Sequence, residues 1–315
     1  MIAVFGTGAV GAYFGGRLAE AGADVSFVAR GAHLRAIRER GLRVTSVAGD
    51  FTIHPARASD DPAELGGADV ILLGVKTWQV AEAARAMRPM LKADTFVVPL
   101  LNGVEAPDQL TEALGAGRAL GGLCHIYAEI LEPGHIRHGG VEPYVAFGEL
   151  DGRPSSPRAE RLRDAFATAR GVTAEVLPDV RAAMWRKLVF ISAMSGVGAV
   201  TRAPMGVLTR LPETRQMLER AMEETRALAV QSGAALPASV VAETLAFMDK
   251  LPEHTTASMQ RDIMAGRPSE LDSQSGAVVR LAARAGVEVP VHDFIYRSLL
   301  PLELRARGTV RFAGE

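Results

Sequence analysis

The chain has 315 residues, of which 48% are hydrophobic and 23% are charged, and its formal net charge is −1 at pH 7. This balance argues against a nucleic-acid binder or a protein held on an anionic membrane, and it favours a small-molecule partner. The single cysteine, Cys124, excludes an internal disulfide and a cysteine-based zinc site. With no basic leader and no apolar run of ~18 residues, we expect a cytoplasmic protein of two domains.

The first 178 residues alternate short apolar runs with helical patterns, which is typical of a parallel sheet covered on both faces. Gly152 to Pro157 is rich in Gly, Pro and Ser and predicts a flexible connection. The fold class is therefore α/β, with an N-terminal Rossmann-type doubly wound, mostly parallel sheet. We predict strands at Ile2–Phe5, Val25–Val28, Leu42–Val47, Val70–Val75 and Phe96–Leu101, strand-like stretches near 119–127 and 143–148, and helices at about 9–21, 78–92 and 107–114.

Residues 179 to 315 carry helical patterns only, which predicts an all-α C-terminal domain. Ser269 with Asp272 resembles a capping box at the start of one of these helices. We therefore divide the chain into a nucleotide-binding domain, 1–178, and a helical substrate and catalytic domain, 179–315. Because exposed helical domains often dimerise, we also expect a homodimer. The predicted helices span roughly 179–195, 212–232, 238–250, 255–265, 269–285 and 291–306, the last with a kink at Pro301.

The motif GTGAVG follows the first predicted strand and opens the first helix, which is the setting of a dinucleotide-binding fingerprint. The first glycine permits a tight turn, the second lets a pyrophosphate approach the backbone, and the third packs the helix on the strand. The predicted cofactor contacts of this motif are Gly6, Thr7, Gly8, Ala9, Val10 and Gly11.

The end of the second predicted strand indicates which dinucleotide is bound. An NAD site usually places Asp or Glu there for the ribose 2′-hydroxyl, whereas this strand ends with Arg30. A guanidinium suits a 2′-phosphate, so the expected cofactor is NADP(H), with His33 and Arg35 as possible assistants. The alternative is that Arg30 is simply solvated.

Lys76 and Asn102 each close an apolar predicted strand. In a doubly wound sheet, ligands bind beyond the carboxyl ends of the strands. We expect both side chains to line the crevice for the nicotinamide ribose and the substrate. The alternative is that they are surface residues at strand ends.

Lys187 lies in the predicted helix MWRKLVFISAMSG, on the face that also carries Met184, Ile191 and Met194. A lysine on an apolar face either extends its ammonium out to water or takes part in catalysis. A nicotinamide domain needs a partner that moves the proton accompanying the hydride. Lys187 is our candidate for that role.

Other proton donors and metal ligands are less suited. No tyrosine has a lysine four residues on, which excludes the Tyr-x-x-x-Lys pair of short-chain dehydrogenases. His135 and His138 fall in a predicted turn, where we interpret them as structural or exposed rather than as zinc ligands. His125 and His292 have no obvious catalytic context. We therefore expect no metal.

Taken together, several motifs closely resemble the ketopantoate reductases (2-dehydropantoate 2-reductases). They occur in order along both predicted domains. They are GTGAVG, Lys76, LLNG at 100–103, WRKL at 185–188, and SMQRDIMAGRPSELD at 258–272. The resemblance implies an enzyme that uses NADPH to reduce 2-dehydropantoate to (R)-pantoate in pantothenate biosynthesis.

The resemblance also implies roles for individual residues. Lys187 would be the proton donor, and Glu270 its acidic partner near cofactor and substrate. Asn102 and Lys76 would contact the nicotinamide ribose and the reacting end of the substrate. Ser258 would bind the substrate carboxylate, and Ala128 would give a main-chain contact to the cofactor.

The sequence departs from the family where asparagines are usual, since Ile191, Ser195 and Met205 occupy those positions. Ile191 and Ser195 are then expected to line a more apolar substrate pocket, in which Ser195 offers one hydroxyl. This leaves open a paralogous reductase for a more apolar 2-oxo acid or an imine. A further alternative is a non-catalytic NADP(H)-binding sensor, although Lys187 and Glu270 favour an enzyme.

Overall fold

The computed structural model describes residues 1–140 and 142–312. They form two compact units. Unit 1 contains Met1–Leu101 and Ala106–Val180, and unit 2 contains Asn102–Glu105 and the chain from Arg181 onward. The short loop Asn102–Glu105 therefore groups with the helical part of the chain, although the division predicted from sequence put it in the first domain.

Unit 1 contains all the described strands, arranged in a five-stranded sheet of order β5-β2-β1-β6-β7, a four-stranded sheet of order β4-β3-β10-β9, and a three-stranded sheet of order β12-β11-β8. The strands are β1 (Ile2–Phe5), β2 (Val25–Val28), β3 (Leu42–Ser46), β4 (Phe51–Ile53), β5 (Ala58–Ser59), β6 (Ala68–Leu73), β7 (Leu91–Pro99), β8 (Gly121–His125), β9 (Ala128–Glu132), β10 (His135–His138), β11 (Tyr144–Gly148) and β12 (Thr173–Val176).

The five-stranded sheet is parallel throughout and has an apolar core on each face. Along β1, Val4 belongs to one buried cluster, while Ala3 and Phe5 belong to the other. Such burial on both faces explains why these strands are continuous apolar runs rather than alternating ones. The predicted Rossmann-type parallel sheet is confirmed.

Helices α1 (Ala9–Glu20) and α2 (Gly31–Arg40) contribute to the apolar core on one face of this sheet, and α3 (Val80–Ala86) and α4 (Ala106–Leu114) contribute to the core on the other face. Helix α5 (Pro157–Ala167) packs against β12 of the three-stranded sheet. The predicted helix 78–92 is wrong in extent, because a 3₁₀ turn at Arg88–Met90 leads directly into β7. Pro89, within that turn, cannot donate the backbone hydrogen bond that an α-helix would need.

Two further helices, α2 and α5, were not predicted. The segment 152–157, expected to be flexible, ends at the start of α5. Ser156 caps this helix by accepting a hydrogen bond from Ala159 N, and Pro157 occupies the first helical position, where a missing N–H costs nothing.

Two local predictions in unit 1 are wrong. The predicted third strand forms as β3, but it lies in the four-stranded sheet rather than in the parallel one. His135 and His138 lie in strand β10 rather than in a turn, and β10 pairs with both β3 and β9. The His138 ring is buried and contacts Ser46 Oγ through Nδ1 at 2.8 Å, a long-range contact that local turn signals could not reveal.

Unit 2 is helical, as predicted, and has its own apolar core. None of the helices in the described residues is both long enough and apolar enough to span a membrane. Pro301 lies inside the last helix, which continues past it. The helices are α6 (Val180–Thr201), α7 (Met205–Arg210), α8 (Pro212–Gln231), α9 (Val240–Met248), α10 (Ser258–Met264), α11 (Ser275–Ala285) and α12 (Pro290–Ala306).

The predicted helix 269–285 is shorter in the structure, because α11 begins only at Ser275. Ser269 is not its cap. The Ser269 amide and hydroxyl both donate to the carboxylate of Glu303 on α12. These groups are therefore bound by another helix rather than used to start α11. Residues 265–274 therefore form an irregular connection between α10 and α11.

Candidate functional site

The GTGAVG turn links β1 to α1 and is fixed by backbone geometry. Gly6 has a φ of +93°, a conformation that favours glycine. The amides of Gly6 and Thr7 donate to Val28 O at the end of β2, and Thr7 Oγ1 donates to the same oxygen at 2.9 Å. The turn is thus tied to the neighbouring strand, with the start of α1 directly behind it.

Gly8 and Gly11 play different parts in this turn. An added Cβ at Gly11 would lie 2.3 Å from Gly6 O and 2.9 Å from Val4 Cγ1, so packing alone requires glycine there. An added Cβ at Gly8 would meet only Gly74 O, at 3.8 Å. The protein's own packing therefore leaves open space at Gly8, beside a helix N-terminus that has no acidic side chain in its first turn. This combination suits a phosphate group.

Arg30 lies at the N-terminus of α2, just after β2, with 61% of its side chain exposed. Both terminal guanidinium nitrogens contact Glu82 Oε1, at 3.3 and 3.2 Å. His33 Nδ1 accepts a hydrogen bond from Gly134 N, and burial lowers the pKa of the His33 imidazole. Arg35 is exposed on α2. The structure therefore offers an exposed guanidinium at the position where the sequence predicts one.

Lys76 and Ala128 are the other predicted cofactor residues of unit 1. Lys76 is exposed and lies three residues beyond the observed end of β6, with its ammonium 5.8 Å from the centre of the Trp78 ring. Ala128 opens β9, opposite His138 of β10.

Lys187 lies in the first half of α6 in unit 2 and is half-buried. Its helical neighbours Met184 and Met194 are buried, and Ile191 packs against the unit 2 core. The helix therefore holds the lysine on a largely apolar face, as its spacing predicts.

Glu270 and Asn102 meet in unit 2, although 168 residues separate them along the chain. Asn102 Nδ2 donates to Glu270 Oε2 at 2.9 Å, and Glu270 is only 8% exposed. The backbone oxygen of Glu270 accepts from Ser273 Oγ and Gln274 N, both at 3.1 Å. Of the predicted site residues, these two are in direct hydrogen-bonded contact.

The loop Asn102–Glu105 is held at both ends against the segment that carries Glu270. Arg280 on α11 donates to Glu105 Oε2 at 2.8 Å and to Asp272 Oδ1 at 2.7 Å. Burial alone would lower the pKa of Arg280, but the two carboxylates outweigh it and raise that pKa. Glycine at 103 is required here, because φ is +91° and a Cβ would lie 2.8 Å from Ser273 O.

The predicted substrate residues differ in exposure. Ser195 is fully buried, and its hydroxyl has no hydrogen-bond partner in the described part of the chain. Ser258 opens α10 and is exposed. Met205, which replaces a family asparagine, is 1% exposed within the unit 2 core. Ile191 is partly buried on α6.

Sequence reasoning missed the contacts around Ser269. Glu303 is only 3% exposed, and Arg307, the residue just after α12, donates to it through Nε at 2.6 Å. Arg307 Nη2 also donates to Ser269 O at 3.1 Å. No local signal marks these residues, because Glu303 and Arg307 look like ordinary charged positions in LELRARG.

Among the described residues, no group of three or more His, Cys, Asp or Glu side chains is arranged to hold a metal ion.

Comparison with protein-family models gives two matches that together span most of the chain. The model described as ketopantoate reductase PanE/ApbA matches residues 2–152, and the model of the C-terminal part of the same family matches residues 179–303. The two matches cover the glycine turn, Lys187 and Glu270.

Curated relatives and a solved structure are similar over nearly the whole chain. The 2-dehydropantoate 2-reductase of Nostoc sp. (strain PCC 7120) is 30% identical, covering 97% of this chain and 96% of the relative. The uncharacterized oxidoreductase YkpB of Bacillus subtilis (strain 168) is 28% identical, covering 94% and 96%. The crystal structure of a PanE/ApbA family ketopantoate reductase from Ralstonia eutropha JMP134 superposes with a TM-score of 0.88 at 32% identity, covering 97% of this chain and 99% of that chain.

Proposed function

The chain belongs to the ketopantoate reductase family and is an oxidoreductase, and from this premise we propose that it reduces 2-dehydropantoate to (R)-pantoate with NADPH, in pantothenate biosynthesis. The observation that carries the proposal is the contact between Asn102 and Glu270 in unit 2. Two polar side chains distant in sequence are brought together at positions that the family resemblance names. A hydrogen bond with a purely structural role would have no reason to join the two positions that the family resemblance names.

The residues of unit 1 fit a dinucleotide cofactor. The open space at Gly8 and the N-terminus of α1 would receive the pyrophosphate, with Gly6, Thr7, Ala9, Val10 and Gly11 forming the turn around it. Arg30 would pair with the 2′-phosphate of NADP(H). Lys76, Asn102 and Ala128 would contact the rest of the cofactor. When bound, the cofactor supplies the hydride.

The residues of unit 2 would handle the proton and the developing charge. Reduction of a keto group places negative charge on its oxygen, and the Lys187 ammonium would stabilise that charge and then donate a proton to it, giving the hydroxyl. Glu270 would orient the ammonium and contact the cofactor, while Asn102 holds the Glu270 carboxylate. Asn102 and Ser258 would bind the substrate, and Ser258 would contact the carboxylate of the substrate.

A second candidate is a paralogous reductase for a more apolar 2-oxo acid or an imine. The observation that favours it is the apolar character of Ile191 and the burial of Met205, where amide side chains are usual in the family. A site built to hydrogen-bond a polar substrate loses affinity when those partners are absent. Ser195 retains one hydroxyl at such a position.

The test is a steady-state assay of NADPH oxidation with 2-dehydropantoate and with 2-oxo acids whose side chains are progressively more apolar. The proposal predicts the highest kcat/KM for 2-dehydropantoate. A higher kcat/KM for an apolar 2-oxo acid would favour the paralogous reductase. Tight NADPH binding without turnover of any substrate would indicate the non-catalytic sensor instead.

A further inference from the structure

Glu270 lies in an irregular segment and cannot rely on a helix for its position. Residues 265–274 connect α10 to α11, and the last helical residue before Glu270 is Met264. The Glu270 side chain is held by Asn102, and its carbonyl oxygen accepts from Ser273 Oγ and Gln274 N, but the backbone just before Glu270 needs a separate anchor. In such a connection, small backbone movements displace a carboxylate by more than a reaction tolerates.

The anchor is the Glu303 clamp, which we define as Ser269, Glu303 and Arg307. Both oxygens of the Glu303 carboxylate accept from Ser269 N, at 3.1 and 3.0 Å, and one of them accepts from Ser269 Oγ at 2.5 Å. Arg307 closes the clamp by donating to Glu303 and to Ser269 O. The amide and hydroxyl of Ser269 are therefore held by α12, and its carbonyl is held by the residue that follows this helix.

The Glu303 clamp also holds the residue that follows Glu270. Ser269 Oγ accepts a hydrogen bond from Leu271 N at 3.2 Å, and Leu271 is fully buried. The residues before and after Glu270 are thus fixed through one serine. A carboxylate that is 3% exposed must be paired and hydrogen-bonded to be stable there, and these charge-assisted bonds meet that need.

We propose that Glu303 is a positioning residue, which acts through Ser269 to hold Glu270 in its reactive place. The inference rests on the proposed function, in which Glu270 contacts the cofactor and the substrate. Glu303 does not itself touch the reacting atoms in this account. Its loss leaves Glu270 intact but poorly placed, and it lowers kcat more than it raises KM.

The test compares Glu303→Gln in two backgrounds, the unmodified protein and the Glu270→Gln variant. In the unmodified background we expect kcat to fall by about 10-fold to 100-fold, the range expected for a small misplacement of a reacting group. In the Glu270→Gln background, the same change should alter kcat by less than about twofold, because the group it positions is already disabled. Equal losses in both backgrounds, or no loss in either, would overturn the proposal.

Glu224 provides a matched control. It is a half-buried carboxylate that also accepts backbone hydrogen bonds from α12, but it does so at Val291 N and His292 N, at the opposite end of that helix from Glu303. Glu224→Gln should lower the thermal midpoint of unfolding while leaving kcat unchanged. A loss of kcat equal to that of Glu303→Gln would mean that Glu303 acts through general stability, which overturns the positioning role.

Amide hydrogen exchange separates this inference from the proposed function. Under native conditions, Glu303→Gln should accelerate exchange at Ser269 and Leu271 by at least about tenfold, while Glu224→Gln should not. Unchanged exchange at both amides would refute the clamp even in an active enzyme. If the unmodified protein reduces no 2-oxo acid, the proposed function fails, and the exchange result still decides whether the clamp holds this segment.

Discussion

The glycine turn of unit 1 and the Glu270 segment of unit 2 are built in opposite ways. The turn uses six consecutive residues and mostly backbone atoms, and its key position, Gly8, is defined by the absence of a side chain. The Glu270 segment uses side chains from Asn102, Ser269 and Glu303, which lie far apart along the chain. A backbone-built site is therefore visible in a short stretch of sequence, whereas a side-chain-built site depends on the complete fold of its unit.

The largest expected effect concerns the side-chain-built region. Lys187→Ala should lower kcat by about 10²-fold to 10⁴-fold, the usual contribution of a positioned proton donor. The Kd for NADPH, measured by fluorescence titration, should stay within about twofold, because the proposed phosphate-binding residues belong to unit 1. The matched control is Lys250→Ala, at an exposed lysine of unit 2. Equal activity of the two variants would remove Lys187 from the mechanism.

A second prediction concerns the stability of unit 2 as a function of pH. Burial lowers the pKa of His292 to about 4 from an ordinary value of 6.5. The unfolded chain therefore binds more protons between these values, so stability is complete above pH 6.5 and declines as pH falls towards 4. The expected loss is about 3 kcal/mol in the free energy of unfolding.

This loss is measured by urea unfolding followed through Trp185 fluorescence in a Trp78→Phe background, since Trp185 lies in unit 2. Glu224, whose pKa is raised by burial, contributes the opposite slope above its ordinary value of 4.5. The informative quantity is thus the difference between the His292 protein and His292→Gln. The difference should vary with pH between 6.5 and 4, and a constant difference would show that His292 does not titrate in this way.

The third prediction concerns the choice of cofactor at the edge of the backbone-built site. Arg30→Ala should raise the Kd for NADPH by about 10-fold to 100-fold, since a hydrogen bond to a charged group contributes about 1.5 to 3 kcal/mol. The Kd for NADH should change little. Arg40→Ala is the control, because Arg40 is exposed at the opposite end of the same helix. Equal losses for both cofactors would contradict the assignment of NADP(H).

The smallest expected effect is the sharpest test of the contrast between the two sites. Gly8→Ala should leave the thermal midpoint nearly unchanged, because its Cβ meets only one atom at contact distance, yet it should raise the Kd for NADPH by about tenfold. Gly11→Ala should instead destabilise unit 1 by about 1 to 3 kcal/mol through overpacking. Loss of stability in both variants would mean that Gly8 serves packing rather than a ligand.

The fold of unit 1 was predictable where the pattern is local. Apolar runs such as Ile2–Phe5 place residues on two covered faces, so they mark parallel strands without knowledge of their partners. The same reasoning misplaced Leu42–Val47, because the choice of sheet depends on pairing with β10, about 90 residues later. An apolar pattern identifies a strand but does not identify its neighbours.

The candidate site was predictable by residue type but not by its supports. Lys187 and Glu270 are proposed from a helical face and a family motif, whereas the prediction of a capping box at Ser269 is wrong. The competing partner, Glu303, lies 34 residues further along the chain. A serine followed by an acidic residue satisfies a local rule, and a buried carboxylate from another helix overrides it.

The transfer of deuterium from NADPH to the substrate tests the central claim most directly. NADPH deuterated at the transferable position of its nicotinamide ring is incubated with the protein and 2-dehydropantoate, and the product is analysed by mass spectrometry. The account predicts pantoate with one deuterium on the carbon that carried the keto group, and a strongly reduced rate of labelling with Lys187→Ala. NADPH binding without deuterium in any 2-oxo acid product would contradict it.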